Sequence, residues 1–318
     1  LGVFASIFYA LSTNSTLMII GRVIWGLAWS GLWIGATTMT LDLSSDDNRG
    51  KMSGILAFMT TVGLTICSLT AGILCDWLGF YLAMWCTVFA CSLHVLIWFF
   101  FLPETLSFSQ GSKNLLVIPR SRYTLNAVGI NKISWLIGIP LFAQNFVYNG
   151  VIISTTVLWL ERFFGDGIEL FHTFVPIVTL TGIYSALRIL IGAVGGPIAG
   201  IFTDRTGNRK TAIVILLSFG SGATFLLGSS ILGIAFTGAI LGSITTGAIP
   251  TLVYAWAGDR FQTGSASKAI SIINSMGDLG SALGPIIALN LIPLFGLSKV
   301  YGSLGFIFIA AIMSIIKL

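Results

Sequence analysis

Apolar stretches, each nearly free of charge and bounded by short polar turns, follow one another along this chain. Each approaches the roughly 20 residues that a helix needs to cross a ~30 Å hydrocarbon core at ~1.5 Å per residue. The pattern predicts ten spans, near residues 1–11, 17–41, 52–74, 79–102, 133–160, 173–202, 211–229, 231–256, 269–292 and 298–316. The first is too short, because eleven residues of helix cover only about 16 Å. Together with an opening on Leu1 rather than Met, this reads as a piece whose N-terminus lies upstream. One connection is long, residues 103–132, and it separates four spans from six.

Composition sharpens the membrane reading. Hydrophobic residues make up 55% of the 318 and charged residues 8%, against roughly 25% charged in an ordinary soluble domain. Basic residues collect on the cytoplasmic side of membrane proteins. Here twelve of the sixteen lie in turns after even-numbered spans or at the C-terminus, two (Arg162 and Lys299) lie in the opposite turns, and Arg22 and Arg188 fall inside spans. This predicts a multi-pass protein, in the plasma (inner) membrane, with the middle loop and C-terminus cytoplasmic. The net charge of +5 is then a topology signal, and nothing supports nucleic-acid binding, which needs a basic face with base-reading groups. Cys67, Cys75, Cys86 and Cys91 form no C-x-x-C pair and read as small buried hydrophobes, with no metal site.

A displacement of 217 residues superposes Asp42 on Asp259, Lys51 on Lys268, Met59 on Met276, Gly63 on Gly280 and Gly79 on Gly296. A parallel repeat of two halves is one way transporters are built. The densest charge lies in the turn after span six, where Gly200, Asp204, Arg205, Gly207, Arg209 and Lys210 spell G-x-x-x-D-R-x-G-x-R-K. Gly200 is expected to let helices approach closely, Gly207 to support a tight turn, and Asp204 to cap or pair near a neighbouring helix end.

That turn resembles the signature loop of the major facilitator superfamily. Gly21, Arg22 and Gly26 resemble the family's R-x-x-x-G element, Asp42 to Gly50 its D-x-x-x-x-x-x-R-G turn, and Leu102-Pro103-Glu104-Thr105 the end of the sixth helix in drug and metabolite exporters. The resemblance implies an all-α integral membrane fold of two pseudo-symmetric helical bundles, with ten of an expected twelve transmembrane helices present. Residues 1–102 would be family helices three to six, 103–132 the cytoplasmic middle loop, and 133–318 a complete six-helix bundle. Two departures weigh against proton-coupled drug export specifically. Trp25 replaces the usual glutamine in span two, and Cys67 and Ser68 replace the Gly-Pro of the antiporter pattern after Gly63, although Gly280, Gly284 and Pro285 restore that pattern in span nine.

Charges inside spans are costly and mark functional positions. Arg22, Arg188 and Asp278 fall in spans two, six and nine, which the resemblance equates with cavity-lining helices. Two readings are open for Asp278: a proton-coupling group, since desolvation favours the neutral form of a carboxylate, or a structural ion pair, for instance with Arg188. Arg188 lies too deep to snorkel and suits an anionic substrate group; Arg22 can snorkel outward, while the resemblance implies a part in proton transfer for it, with Trp25 beside it. Gln144, Tyr148, Asn145 and Asn149 form i,i+4 pairs on span five, suited to substrate recognition or to interhelical hydrogen bonds, and Asn274 shares the face of Asp278. The implied function is secondary transport of a small organic molecule by alternating access, two bundles rocking about a midplane site. Proton-coupled export is the leading form, and facilitated or symport uptake the alternative. The chain has no phosphate loop and no nucleophile or metal constellation, so it reads as no enzyme, without cofactor. Its expected partners are the lipid bilayer, a small-molecule substrate and protons, and its expected state is a monomer.

Overall fold

The computed structural model of the chain describes residues 1–44, 49–101, 132–170, 172–260 and 266–316. Contacts divide the chain into two compact units, Leu1–Tyr123 and Thr124–Leu318. The exporter-type Leu102 to Thr105 segment and the basic residues Lys113, Arg120 and Arg122 of the middle loop lie outside the described residues, as do residues 45–48 of the Asp42 to Gly50 turn.

The first unit holds α1 (Gly2–Ala10), α2 (Ser15–Asp42) and α3 (Arg49–Phe101). Helix α1 packs on both α2 and α3, and the small residues Ala5, Ala10, Ala28 and Ala83 are buried in this unit. Asn14 accepts a hydrogen bond from the Leu17 N–H (3.0 Å) and so satisfies a backbone donor at the start of α2. Large apolar side chains, among them Trp77, Phe89 and Phe99, point outward, the arrangement expected where the solvent is lipid rather than water.

The second unit begins with α4 (Lys132–Gln144), a π-helical segment (Asn145–Ile152) and α5 (Ile153–Phe164) as one continuous run, followed by β1 (Gly167–Leu170) and β2 (Thr173–Pro176). Then come α6 (Ile177–Thr206), α7 (Arg209–Leu227), α8 (Leu232–Arg260), α9 (Ala266–Phe295) and α10 (Leu297–Ile316). The strands pair antiparallel, Gly167 opposite Pro176, a short hairpin in one turn of an otherwise all-helical fold, and it takes the first four residues of the span expected over 173–202. The closest helix contacts use small residues, as in other membrane bundles. A side chain at Gly247 of α8 would overlap the Gly192 carbonyl of α6, and one at Gly238 would come within 2.6 Å of the Ala223 carbonyl of α7. Gly200 does not share this role: a methyl there would find only Thr251, at an ordinary 3.9 Å.

Among the described residues eight helices, rather than ten, are long and apolar enough to cross a membrane. Two physical facts account for the difference. Helix α1 has nine residues, about 14 Å of rise. Spans three and four run on as the single 53-residue α3, broken only at Gly79, whose φ of 77° and ψ of 163° are not helical. An unbroken helix of that length would measure roughly 80 Å, so the break at Gly79 separates two crossings' worth of chain.

Candidate functional site

The polar side chains of the second unit gather on the irregular run from α4 to α5. At the π-helical segment the Tyr148 carbonyl accepts from the Ile153 N–H, five residues on, and also from Arg188 Nη1 of α6 at 3.3 Å. π-Helical turns are rare and occur often at functional sites. Gln144 (0% exposed) and Tyr148 (1% exposed) are enclosed. Thr245 Oγ1 of α8 lies 3.4 Å from Gln144 Oε1 and 2.7 Å from the Gly242 carbonyl. The Tyr148 hydroxyl lies against Gly242, where any side chain would overlap it. That hydroxyl and Gln144 Nε2 have no hydrogen-bond partner among the described residues.

Asn145 and Asn149 point elsewhere. Asn149 is exposed and its Nδ2 donates to Asn145 Oδ1 (2.9 Å), while a side chain at Gly277 of α9 would fall 2.6 Å from Asn145 Nδ2. Gly277, Gly280 and Gly284 form the face of α9 that meets this run: a methyl at Gly284 would sit 2.6 Å from the Gly150 Cα, and one at Gly280 would press on the Phe142 carbonyl. The polar stripe is therefore split between a buried pair facing α8 and a hydrogen-bonded pair beside α9.

Asp278 follows Gly277 on α9, one position off the packed face, and its side chain is exposed. Asn274, one turn earlier, accepts from the Tyr254 hydroxyl of α8 at 2.6 Å, and Asp278 lies within electrostatic reach of that tyrosine. Sequence reasoning missed Tyr254, because its partner stands twenty residues away on the next helix and no spacing on one helix could reveal it. Arg188 and Asp278 do not pair. Arg188 comes twelfth along α6, Asp278 thirteenth along α9, and these helices start from opposite ends of the bundle, so the two charges sit at different depths.

Arg22, exposed, and Trp25, half-buried, belong to the first unit. There Trp25 and Trp29 lie with ring centroids 6.4 Å apart, and Trp29 stacks on Trp33 at 6.2 Å.

The signature turn folds as its sequence suggests. Gly207 adopts φ 66° and its N–H reaches the Thr203 carbonyl, while Asn208 caps α7 by accepting from the Thr211 N–H (3.1 Å). Arg209, at the start of α7, meets Asp204 Oδ1 at 3.2 Å and Asp259 Oδ2 of α8 at 2.8 Å. One guanidinium thus ties the ends of α6 and α8 to the start of α7; Arg205 is exposed and Lys210 half-buried beside it. At the opposite end Arg162 of α5 donates to Ser230 (2.6 Å) and to Ser298. The sequence places Arg162 only in a turn opposite the basic cluster; in the structure it ends α5 and joins the α7–α8 and α9–α10 turns. No two cysteines are bonded to each other, and no group of three potential metal ligands occurs among the described residues.

These features define a multi-pass membrane bundle with charges held inside its helices. Comparisons with known proteins specify the class further. The profile of the Major Facilitator Superfamily matches residues 1–192 and 170–318. The chain is 24% identical over 290 residues to a quinolone resistance transporter of Acinetobacter baumannii, covering 83% of this chain and 63% of that protein. It therefore spans less than two thirds of that relative's length. Among solved structures, a POT family transporter in complex with 5-aminolevulinic acid matches with TM-score 0.68 and 12% identity, over 99% of this chain and 78% of that one. A bacterial homologue of the human lysosomal transporter Spinster matches with TM-score 0.63 and 16% identity, over the same shares. The chain belongs to the Major Facilitator Superfamily, a family of membrane transporters and not of enzymes.

Proposed function

We propose that this chain carries out secondary transport of a small organic molecule by alternating access, in the export direction and coupled to protons, with Asp278 as the coupling group. The observation that carries this reading is the setting of Asp278. It stands about 18 Å along α9 from Ala266 and about 26 Å before Phe295 by helical rise, exposed and without an ion pair among the described residues. An unpaired carboxylate at such depth marks a substrate or ion pathway and suits a proton relay. Tyr254 and Asn274 beside it form a hydrogen-bonded pair that can hold a water on the carboxylate.

Export finds support in the name of the Acinetobacter relative, and the twelve-to-two distribution of basic residues supports a cytoplasmic C-terminus. The four tight glycine contacts at Gly192, Gly195, Gly196 and Gly247 between α6 and α8 suit a bundle that moves as a rigid body.

The test is flux of a radiolabelled quinolone, the compound class named for the relative, in liposomes carrying the reconstituted chain under an imposed pH gradient. Asp278→Asn is expected to abolish gradient-driven flux while leaving exchange between labelled and unlabelled compound intact. Gradient-driven flux that survives in Asp278→Asn removes this residue from the coupling step. Flux that ignores the gradient in the unaltered chain removes proton coupling.

A further inference from the structure

We infer that Arg188 is an anion anchor, and that the transported molecule carries a carboxylate or a comparable anionic group which Arg188 binds. This deepens the transport reading above and rests on it.

The argument begins with depth. Arg188 stands about 16 Å from Ile177 and about 27 Å from Thr206 by helical rise along α6. Neither end is within reach of an arginine side chain, so the charge cannot escape to a headgroup region. A cation at this depth requires a counter-charge or a wet cavity. Within the second unit the described acidic residues do not supply one. Asp204 and Asp259 are engaged with Arg209, Glu161, Asp166 and Glu169 stand at or beyond the end of α5, and Asp278 forms no ion pair with Arg188 and starts from the other end of the bundle.

What faces Arg188 instead is neutral. Its hydrogen bond goes to the Tyr148 carbonyl, and Tyr184 lies one helical turn before it on α6. The carbonyl contact fixes the guanidinium without cancelling its charge. Because that contact is made at the π-helical segment, it depends on a carbonyl whose partner is the Ile153 N–H, five residues on, rather than on an ordinary helical turn. The one hydrogen bond of Arg188 among the described residues uses Nη1, which leaves the other N–H groups of the fork for a ligand. A planar guanidinium with open donors binds carboxylates in bidentate fashion. The site therefore combines orientation by the protein, an unneutralised charge and unused donors.

The probes are a matched pair: an amphipathic aryl carboxylic acid of the quinolone type and its ethyl ester, which keeps shape and apolar surface but loses the anion. Binding is measured by tryptophan fluorescence on the reconstituted 318-residue chain, alongside flux of each compound in the same liposomes. The unaltered chain is expected to bind the acid at least about tenfold more tightly than the ester, the size of one charge-assisted hydrogen bond. Arg188→Gln should erase that preference while ester binding persists, and Arg188→Lys, which keeps the charge, should retain part of it. Asp278→Asn should leave the preference in place.

Equal binding of acid and ester, a preference that survives in Arg188→Gln, or binding of neither compound overturns the anchor. If Arg188→Gln does not fold, the acid preference of the unaltered chain and of Arg188→Lys decides the matter by itself. The two readings fail separately. Acid-selective binding without flux keeps the anchor and sinks transport, and flux without acid preference does the reverse.

Discussion

At the scale of single residues, the glycines show how far sequence carries and where it stops. Gly192, Gly196 and Gly200 stand at equal spacing and look alike in the sequence, yet only the first two press on α8. A side chain at Gly196 would fall 2.8 Å from Thr251 Oγ1, whereas at Gly200 the nearest atom is 3.9 Å away. The spacing puts all three near one face; which of them meets another backbone depends on where α8 crosses, a tertiary fact. The consequence is measurable. Gly247→Ala would drive a methyl into the Gly192 carbonyl and is expected to cost about 1–3 kcal/mol, as overpacking does. Gly200→Ala is expected to be neutral or to gain up to about 1 kcal/mol of helix propensity. Thermal melting of the two variants in detergent compares them directly, and equal melting points would refute the backbone contact assigned to Gly247. Charges were legible for a related reason: Arg188 and Asp278 stand out in apolar runs, and their cost in a membrane makes each position informative. Their failure to pair follows from opposite helix directions and from depth, which residue counting gives; what the sequence could not give is the Tyr148 carbonyl that Arg188 meets instead.

At the scale of elements, hydrophobic runs located most of the helices, since length and charge alone decide what can cross a bilayer. The π-helical segment escaped that reading because Asn145 to Ile152 carries no distinguishing composition; its widened turn lies where Gly150 packs against Gly284 and where Arg188 bonds to the Tyr148 carbonyl, contacts that no run of one helix reveals. The β1–β2 hairpin escaped it too, lying at the start of an apolar stretch that reads equally well as helix. Arg162 belongs to this scale, for it fastens the turns of two other helix pairs through Ser230 and Ser298. Arg162→Ala is expected to raise amide hydrogen exchange in the turns around Ser230 and Ser298 by roughly threefold to tenfold, the loss of about one hydrogen bond's net stability at each. Exchange in the α6–α7 turn around Gly207, held by the separate Arg209 contacts, should not change. Faster exchange at all three turns would mean general loosening rather than a local tie.

At the scale of the whole chain, the repeat at 217 residues acquires a backbone counterpart. Gly79 and Gly296, paired by that displacement, take φ values of 77° and 79°; the first interrupts α3, the second lies between α9 and α10. A long apolar stretch says only that helix is favoured. What ends one helix and starts the next with no intervening loop is a residue able to leave helical space, and the same displacement that aligns apolar and charged positions aligns these two breaks. Nothing lies within 4 Å of a side chain added at either glycine, so a substitution there tests backbone conformation without a steric clash. Gly79→Ala and Gly296→Ala are each expected to destabilise by about 1–3 kcal/mol, the usual cost of holding a residue with a side chain in such a region. Gly54→Ala is the control: Gly54 lies inside α3, equally open but helical, so alanine there should be neutral or mildly stabilising. Comparable losses of melting temperature in the first two variants, and none in the third, would show that both halves depend on the same kind of break. Tolerance of alanine at one glycine and not the other would leave the displacement a sequence coincidence in an apolar chain.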